Sequence, residues 1–183
     1  LGGTVIAISC WNEADKKAYT FRNKKGFDVN ALSSITDSYG TINKDKAKDL
    51  GCDILPGEAW IEQDVDILVP AAMENQITIE NVHKISKQVK VILEAANGPT
   101  TPDADQVIRD SNIFLVPDFL ANAGGVTCSY FEQVQCNMNY YWEKEEVLEK
   151  LDTKMTSAFK SVYELSQNKK LYMRDAAYVI AIN

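Results

Sequence analysis

Three asparagines, Asn75, Asn97 and Asn122, each follow a short apolar run by a few residues. The runs are V-D-I-L-V at 65–69, V-K-V-I-L at 89–93 and I-F-L-V at 113–116. A carboxamide both donates and accepts hydrogen bonds, so a row of them suits a neutral ligand rich in hydroxyl or amide groups. The third loop is the richest: L-A-N-A-G-G-V-T-C-S-Y-F-E at 120–132. Gly124 and Gly125 let a ligand approach the backbone closely. Ser129 comes seven residues after Asn122, two helical turns on, which returns it to nearly the same face if one helix carries both. Asparagine also favours turns and helix caps for purely structural reasons. For any single loop the two readings balance; three loops with the same pattern favour a ligand site.

The elements that must hold these loops follow from the pattern of apolar residues. Short strands are expected at 4–8, 53–55, 65–69, 89–93 and 113–116, with helices at 29–39, 44–50, 78–87 and 101–110. Thr78 and Thr101 stand as N-caps, and Pro102 and Asp103 fit a first helical turn. The lysine-rich stretch 11–25 reads as a solvated loop. From 143 to 167 the residues Val147, Leu151, Met155, Ala158, Val162 and Leu165 make the stripe of one long amphipathic helix, with core packing as its purpose. A last helix is expected at 173–182. Strands alternating with helices mean βαβ units and a largely parallel sheet. In such a sheet the three asparagine loops leave from one carboxyl edge, where α/β folds bind ligands. The chemistry there suits a dinucleotide, whose ribose hydroxyls and carboxamide need neutral two-way partners. No repeat or linker interrupts the 183 residues, and one domain, 1–183, is expected.

Composition narrows the partners. A net charge of −7 argues against nucleic acid or an anionic membrane surface. No apolar run approaches the ~20 residues of a bilayer span. The four cysteines, Cys10, Cys52, Cys128 and Cys136, have no metal-ligand spacing. Cys128 and Cys136 are separated by about 12 Å of helical rise, too far to bridge. A reducing, cytoplasmic compartment fits them best. The single histidine, His83, sits in a polar stretch and reads as a surface residue. No metal site is expected.

Longer motifs carry a resemblance. P-A-A-M-E-N-Q-I at 70–77, E-A-A-N-G-P-T-T-P at 94–102, V-P-D-F-L-A-N-A-G-G-V at 116–126, S-Y-F-E at 129–132 and M-R-D-A-A-Y at 173–178 resemble the glutamate dehydrogenases, within the Glu/Leu/Phe/Val dehydrogenase family. The likeness is strong from about residue 53 onward and weak before it. It implies an α/β, Rossmann-like, largely parallel sheet flanked by helices, lacking its first βα unit and ending in C-terminal helices. It implies the reversible oxidative deamination of L-glutamate to 2-oxoglutarate and ammonia, with NAD or NADP as cofactor. By the same resemblance Ala71, Ala72, Asn75 and Asn97 line the dinucleotide and Asn122 sits at its nicotinamide end. Val126 and Ser129 contact the substrate, the Ser129 hydroxyl holding the distal carboxylate. A polar pocket of that kind rejects apolar analogues, because its own groups would be left unpaired. A related leucine, valine or phenylalanine dehydrogenase, or a non-catalytic assembly or regulatory fragment, are the alternatives. A homo-oligomer, hexameric by resemblance, is the expected assembly.

Cys10 stands where the family usually has an aspartate for the adenosine ribose. Glu13 and Asp15 lie near it, and so do Lys16 and Lys17, so NAD is only slightly favoured over NADP. No G-x-G-x-x-G occurs. The resemblance puts that motif, and the catalytic lysine and aspartate, upstream of Leu1, leaving no catalytic residue in this segment. Removing a central strand costs about five apolar side chains at ~1.5–3 kcal/mol each. That matches the whole stability of a typical domain, ~5–15 kcal/mol. A polypeptide of residues 1–183 alone is therefore expected to turn over no glutamate; saturable NAD reduction by it would overturn the expectation.

Overall fold

The computed structural model describes residues 2–182, which form two compact units. One comprises residues up to Val65 together with Lys84–Gln88. It is built on an antiparallel sheet of β1 (Ala7–Asn12), β2 (Lys17–Arg22) and β3 (Asp53–Pro56), in that spatial order. Two short helices follow the hairpin: α1 (Val29–Ser34), capped by the Asp28 carboxylate, and α2 (Lys44–Asp49), capped by the Asn43 side chain. Phe21, Leu32, Ile42, Ala47 and Cys52 make the core.

Three expectations for this unit change. The first strand lies at Ala7–Asn12 rather than 4–8, and the expected loop at 11–25 contains the middle strand of the sheet. Its K-A-Y-T-F-R sequence looks solvated, yet Thr20 and Phe21 are buried and its backbone pairs with strands on both sides. Tertiary pairing here overrides local polarity. The helix expected at 29–39 stops at Ser34, because Asp37 Oδ1 takes the amides of Tyr39 and Thr41, both at 2.9 Å, and turns the chain into a Thr36–Ile42 bridge.

The second unit, Asp66–His83 with Val89 onward, holds the parallel sheet. Its strands β4 (Ile67–Leu68), β5 (Val91–Leu93) and β6 (Phe114–Val116) lie side by side in that order. Every neighbouring pair is parallel. The α/β class and the parallel sheet with flanking helices agree with the sequence reading. Strand β5 is joined to β6 through α3 (Pro102–Arg109). Proline opens that helix and acids occupy its first turn as expected, but the Thr101 hydroxyl makes no capping bond. The helix expected at 78–87 is reduced to a 3-10 turn at Val82–Lys84. Asn81 is the reason: its side chain accepts from Thr78 N at 2.8 Å and donates to Gln76 O at 2.9 Å, offering the backbone a turn in place of a helix.

After β6 come α4 (Asp118–Ala121), α5 (Gly124–Met138), α6 (Lys144–Lys169) and α7 (Met173–Ile182). On α6, Val162 is buried and Val147, Leu151, Met155 and Leu165 are half-buried, while Ala158 faces out. Val162 joins Val116, Leu120, Met173, Ala176 and Ala177 in one core. Small residues on α7 thus let it lie close to the end of β6.

Gly57 in the first unit shows how tight the packing is. A Cβ there would stand 2.5 Å from the Ala18 Cβ and 2.8 Å from the Ala18 carbonyl oxygen. The same glycine's carbonyl takes the buried Thr20 hydroxyl at 2.8 Å. Gly57→Ala is expected to destabilise the protein by about 1–3 kcal/mol, measured by denaturant unfolding against the wild type.

Candidate functional site

Because β4, β5 and β6 run parallel, the chain leaves all three at the same edge, and the segments 70–76, 94–102 and 117–126 meet there. They are stitched together by hydrogen bonds. The Pro70 carbonyl takes the amides of Ala95 and Ala96, both at 3.0 Å. Asn75 N donates to Gly98 O at 2.9 Å, and Ile77 N to Pro99 O at 2.8 Å. Asn75 (φ 54°) and Gly98 (φ 52°) both take the left-handed conformation at this crossing, which glycine and asparagine tolerate best. Between the second and third loops, Asn122 Nδ2 donates to Asn97 Oδ1 at 2.7 Å.

The Asn97–Asn122 contact fixes what the pair can offer. It uses one oxygen of Asn97 and an N–H of Asn122, so Asn97 keeps its amide hydrogens to donate and Asn122 its oxygen to accept. Asn75 and Asn97 are exposed, as are Ala71 and Ala72, and Asn122 is half-buried. Val126 and Ser129 are exposed on α5, three residues apart and so on one face. Asn122 itself lies in the turn between α4 and α5, so no continuous helix links it to Ser129. Gly124 and Gly125 open α5 with no side-chain cap before them, and a Cβ at either would meet nothing within 4 Å. An apolar cavity of about 370 Å³ lies between α6 and the ends of β5 and β6, but none of the seven residues named from sequence lines it.

Beneath the loops sits a charge cluster that sequence reasoning quoted in its motifs without assigning. Glu94, the residue after β5, is fully buried. Arg174, from α7, donates from Nη2 to both its oxygens at 2.9 Å. The same guanidinium reaches Asp105 at 3.0 Å and Asp118 at 3.3 Å. Tyr172 donates its hydroxyl to Asp105 at 2.9 Å. Burial works against the Arg174 charge, but the bonds to Glu94 and Asp105 outweigh it and hold the guanidinium pKa above its ordinary value. Burial, then the Asp105 charge, pushes the Tyr172 hydroxyl pKa up. One signal was available: an acid directly after the buried run V-I-L cannot stay charged there without a cation.

In the first unit, β1 continues through Cys10 to Asn12. Burial raises the Cys10 thiol pKa. The two nearby acids are already engaged, Glu13 with Lys16 and with Trp11 Nε1, and Asp15 with Lys44. Lys44 lowers the Asp15 carboxyl pKa by direct hydrogen bonding.

A parallel sheet whose carboxyl edge carries paired carboxamides suits a neutral ligand that both donates and accepts hydrogen bonds. A family model described as Glutamate/Leucine/Phenylalanine/Valine dehydrogenase matches residues 1–183, and the chain belongs to that family. The NAD-specific glutamate dehydrogenase of Staphylococcus aureus (strain COL) is 46% identical over 183 residues, 100% of this chain and 41% of that relative. The cryptic catabolic NAD-specific glutamate dehydrogenase of Bacillus subtilis (strain 168) is 48% identical over 158 residues, 86% of this chain and 35% of the relative. The chain therefore spans less than half the length of these relatives. Among solved structures, the glutamate dehydrogenase of Peptoniphilus asaccharolyticus matches with a TM-score of 0.77 at 36% identity, covering 99% of this chain and 39% of that one. A hetero-hexameric glutamate dehydrogenase from Thermus thermophilus matches with a TM-score of 0.75 at 25% identity, covering 86% and 36%.

The cluster has a signature in alkaline solution. The Tyr172 pKa is higher folded than unfolded, so the stability linked to it is complete below the ordinary tyrosine pKa of ~10 and is lost as pH rises beyond it. Tyr172→Phe is expected to flatten the fall in unfolding free energy above pH ~10, as read from urea unfolding at a series of pH values.

Proposed function

We propose that this chain, residues 1–183, is the dinucleotide-binding part of an NAD-dependent glutamate dehydrogenase. The observation that carries the reading is the stitched edge of three asparagine loops, in a chain 46% identical to an NAD-specific glutamate dehydrogenase. The residues fit such a group. Asn97 and Asn122 together present a donor beside an acceptor, as a carboxamide or a ribose diol requires. The two glycines opening α5 support it further: neither carries a Cβ, and one built there would meet nothing within 4 Å, so a ligand can come close to the backbone.

In this reading Ala71, Ala72, Asn75 and Asn97 line the dinucleotide and Asn122 holds its nicotinamide end. Bound there, NAD supplies the acceptor for the hydride lost by the amino acid. NAD is preferred to NADP, as the names of the relatives state for those proteins. Val126 and Ser129, together on one exposed face of α5, orient L-glutamate or 2-oxoglutarate, with the Ser129 hydroxyl donating to the distal carboxylate. No residue of this chain is assigned acid–base chemistry. A homo-oligomer, a hexamer, and a cytoplasmic location belong to the same proposal. Among the described residues no helix is long and apolar enough to cross a membrane.

Two measurements on the intact native protein test this. Titration with NADH should show saturable fluorescence enhancement, weakened by Asn122→Ala. Ser129→Ala should lower kcat/KM for glutamate by about 10- to 100-fold, the worth of one hydrogen bond to a charged group, with KM for NAD unchanged. An unchanged glutamate constant would transfer the assignment to leucine, valine or phenylalanine.

A further inference from the structure

Asp118 has two faces. Its Oδ1 accepts from Arg174 Nη1 at 3.3 Å, and its Oδ2 accepts from the Gly98 amide at 2.8 Å. Its own amide donates to Glu94 Oε2 at 2.9 Å, and Glu94 is held by Arg174 through both oxygens. One guanidinium thus fixes both acids that bracket the 97–98 turn. That turn carries Asn97, which receives Asn122, and Gly98, whose carbonyl receives the Asn75 amide. All three candidate asparagines are therefore one or two bonds from Asp118, while Arg174 touches none of them.

Removing the cation would leave Glu94 and Asp118 as two carboxylates joined through a backbone bond in a poorly solvated place, where like charges repel. Asp118 would turn away from Glu94, and Gly98 would lose its charged acceptor. The docking of α7 does not hang on this residue alone. Arg109 and Asp175 form a separate two-bond pair between α3 and α7, both bonds at 2.9 Å, and Met173, Ala176 and Ala177 are packed in the core. The consequence of losing Arg174 should therefore appear in the loops.

We propose that Arg174 is a positioning residue for the coenzyme edge: it aims the Asp118 carboxylate at the Gly98 amide, and so sets the spacing of Asn75, Asn97 and Asn122. The link to coenzyme rests on the dinucleotide reading above. A lysine keeps the charge at Arg174 but is a point donor that cannot span three carboxylates. Asp118→Asn keeps an oxygen for Gly98, whereas Asp118→Ala removes it.

The experiment uses the intact native protein with Arg174→Lys, Asp118→Ala and Asp118→Asn. Steady-state constants are read for NAD and for glutamate, and hydrogen exchange is read at the Gly98 amide. Arg174→Lys and Asp118→Ala should each raise KM for NAD about tenfold or more, leave KM for glutamate within about twofold, and speed Gly98 exchange. Asp118→Asn should keep KM for NAD within about threefold of wild type. If Arg174→Lys does not fold, the two Asp118 variants decide. A lowered melting temperature with unchanged KM for NAD and unchanged Gly98 exchange would mean a merely structural cluster and would overturn the proposal. Should the wild type fail to bind NADH, the dinucleotide reading falls separately. The positioning role then stands if Gly98 exchange alone accelerates while α7 amides do not, and falls if it does not accelerate.

Discussion

A fully buried carboxylate is the constraint from which the rest of the second unit follows. Glu94 comes directly off β5, at the one place where the chain can neither expose it nor pair it locally. Leaving such a charge unpaired costs several kcal/mol, so a cation has to be brought to it. The cation is Arg174, 80 positions away on the last helix. A lysine would neutralise one acid; the planar fork of arginine satisfies Glu94, Asp105 and Asp118 together. Three acids around one guanidinium still leave excess negative charge, which the Tyr172 hydroxyl and the Asp118 and Gly98 amides help to solvate.

That requirement explains the placing of the C-terminal helices. For Arg174 to reach Glu94, α7 must lie against the carboxyl end of the sheet, and only small side chains permit the approach. Ala176 and Ala177 are buried there beside Val116 and Leu120. The long helix α6 is fixed in turn through Val162 in the same core. Its end is tied by the Ser166 hydroxyl, which donates to Leu171 O at 2.7 Å. Ion pair, small-residue contact and helix stop therefore act in one direction: they hold the edge where the three loops converge.

Much of this was legible in the sequence, and what was not has a common cause. The parallel strands, the three loops and the long helix each leave a local pattern, a short β-branched run or a stripe every three or four residues. The middle strand β2 leaves none, because its partners β1 and β3 impose a conformation its polar composition hides. Helices expected at 29–39 and 78–87 failed where a single Asp37 or Asn81 side chain bonded the backbone first. At the site, the row of asparagines was visible, but the bond between Asn97 and Asn122 spans 25 residues and that between Arg174 and Glu94 spans 80. Neither has a periodicity to read. Only the oddity of an acid following a buried strand hinted at the second.

Several departures from local rules fall on this edge, and together they bear on the proposal that it binds a ligand. Positive φ at Lys16 belongs to a hairpin turn, and at Asn139 and Lys170 to ordinary helix ends. Asn75 and Gly98 adopt it with no hairpin or helix end to require it. Two glycines open a 15-residue helix that no side chain caps, although no neighbour excludes a larger residue. The Thr100 hydroxyl, on the same loops, is the buried side-chain oxygen that finds no partner among the described residues. Each departure weakens the fold, and a folded chain tolerates such costs where something other than folding is served. Those that fall on segments 70–76, 94–102 and 117–126 support the proposed binding edge on physical grounds, apart from any likeness to another protein.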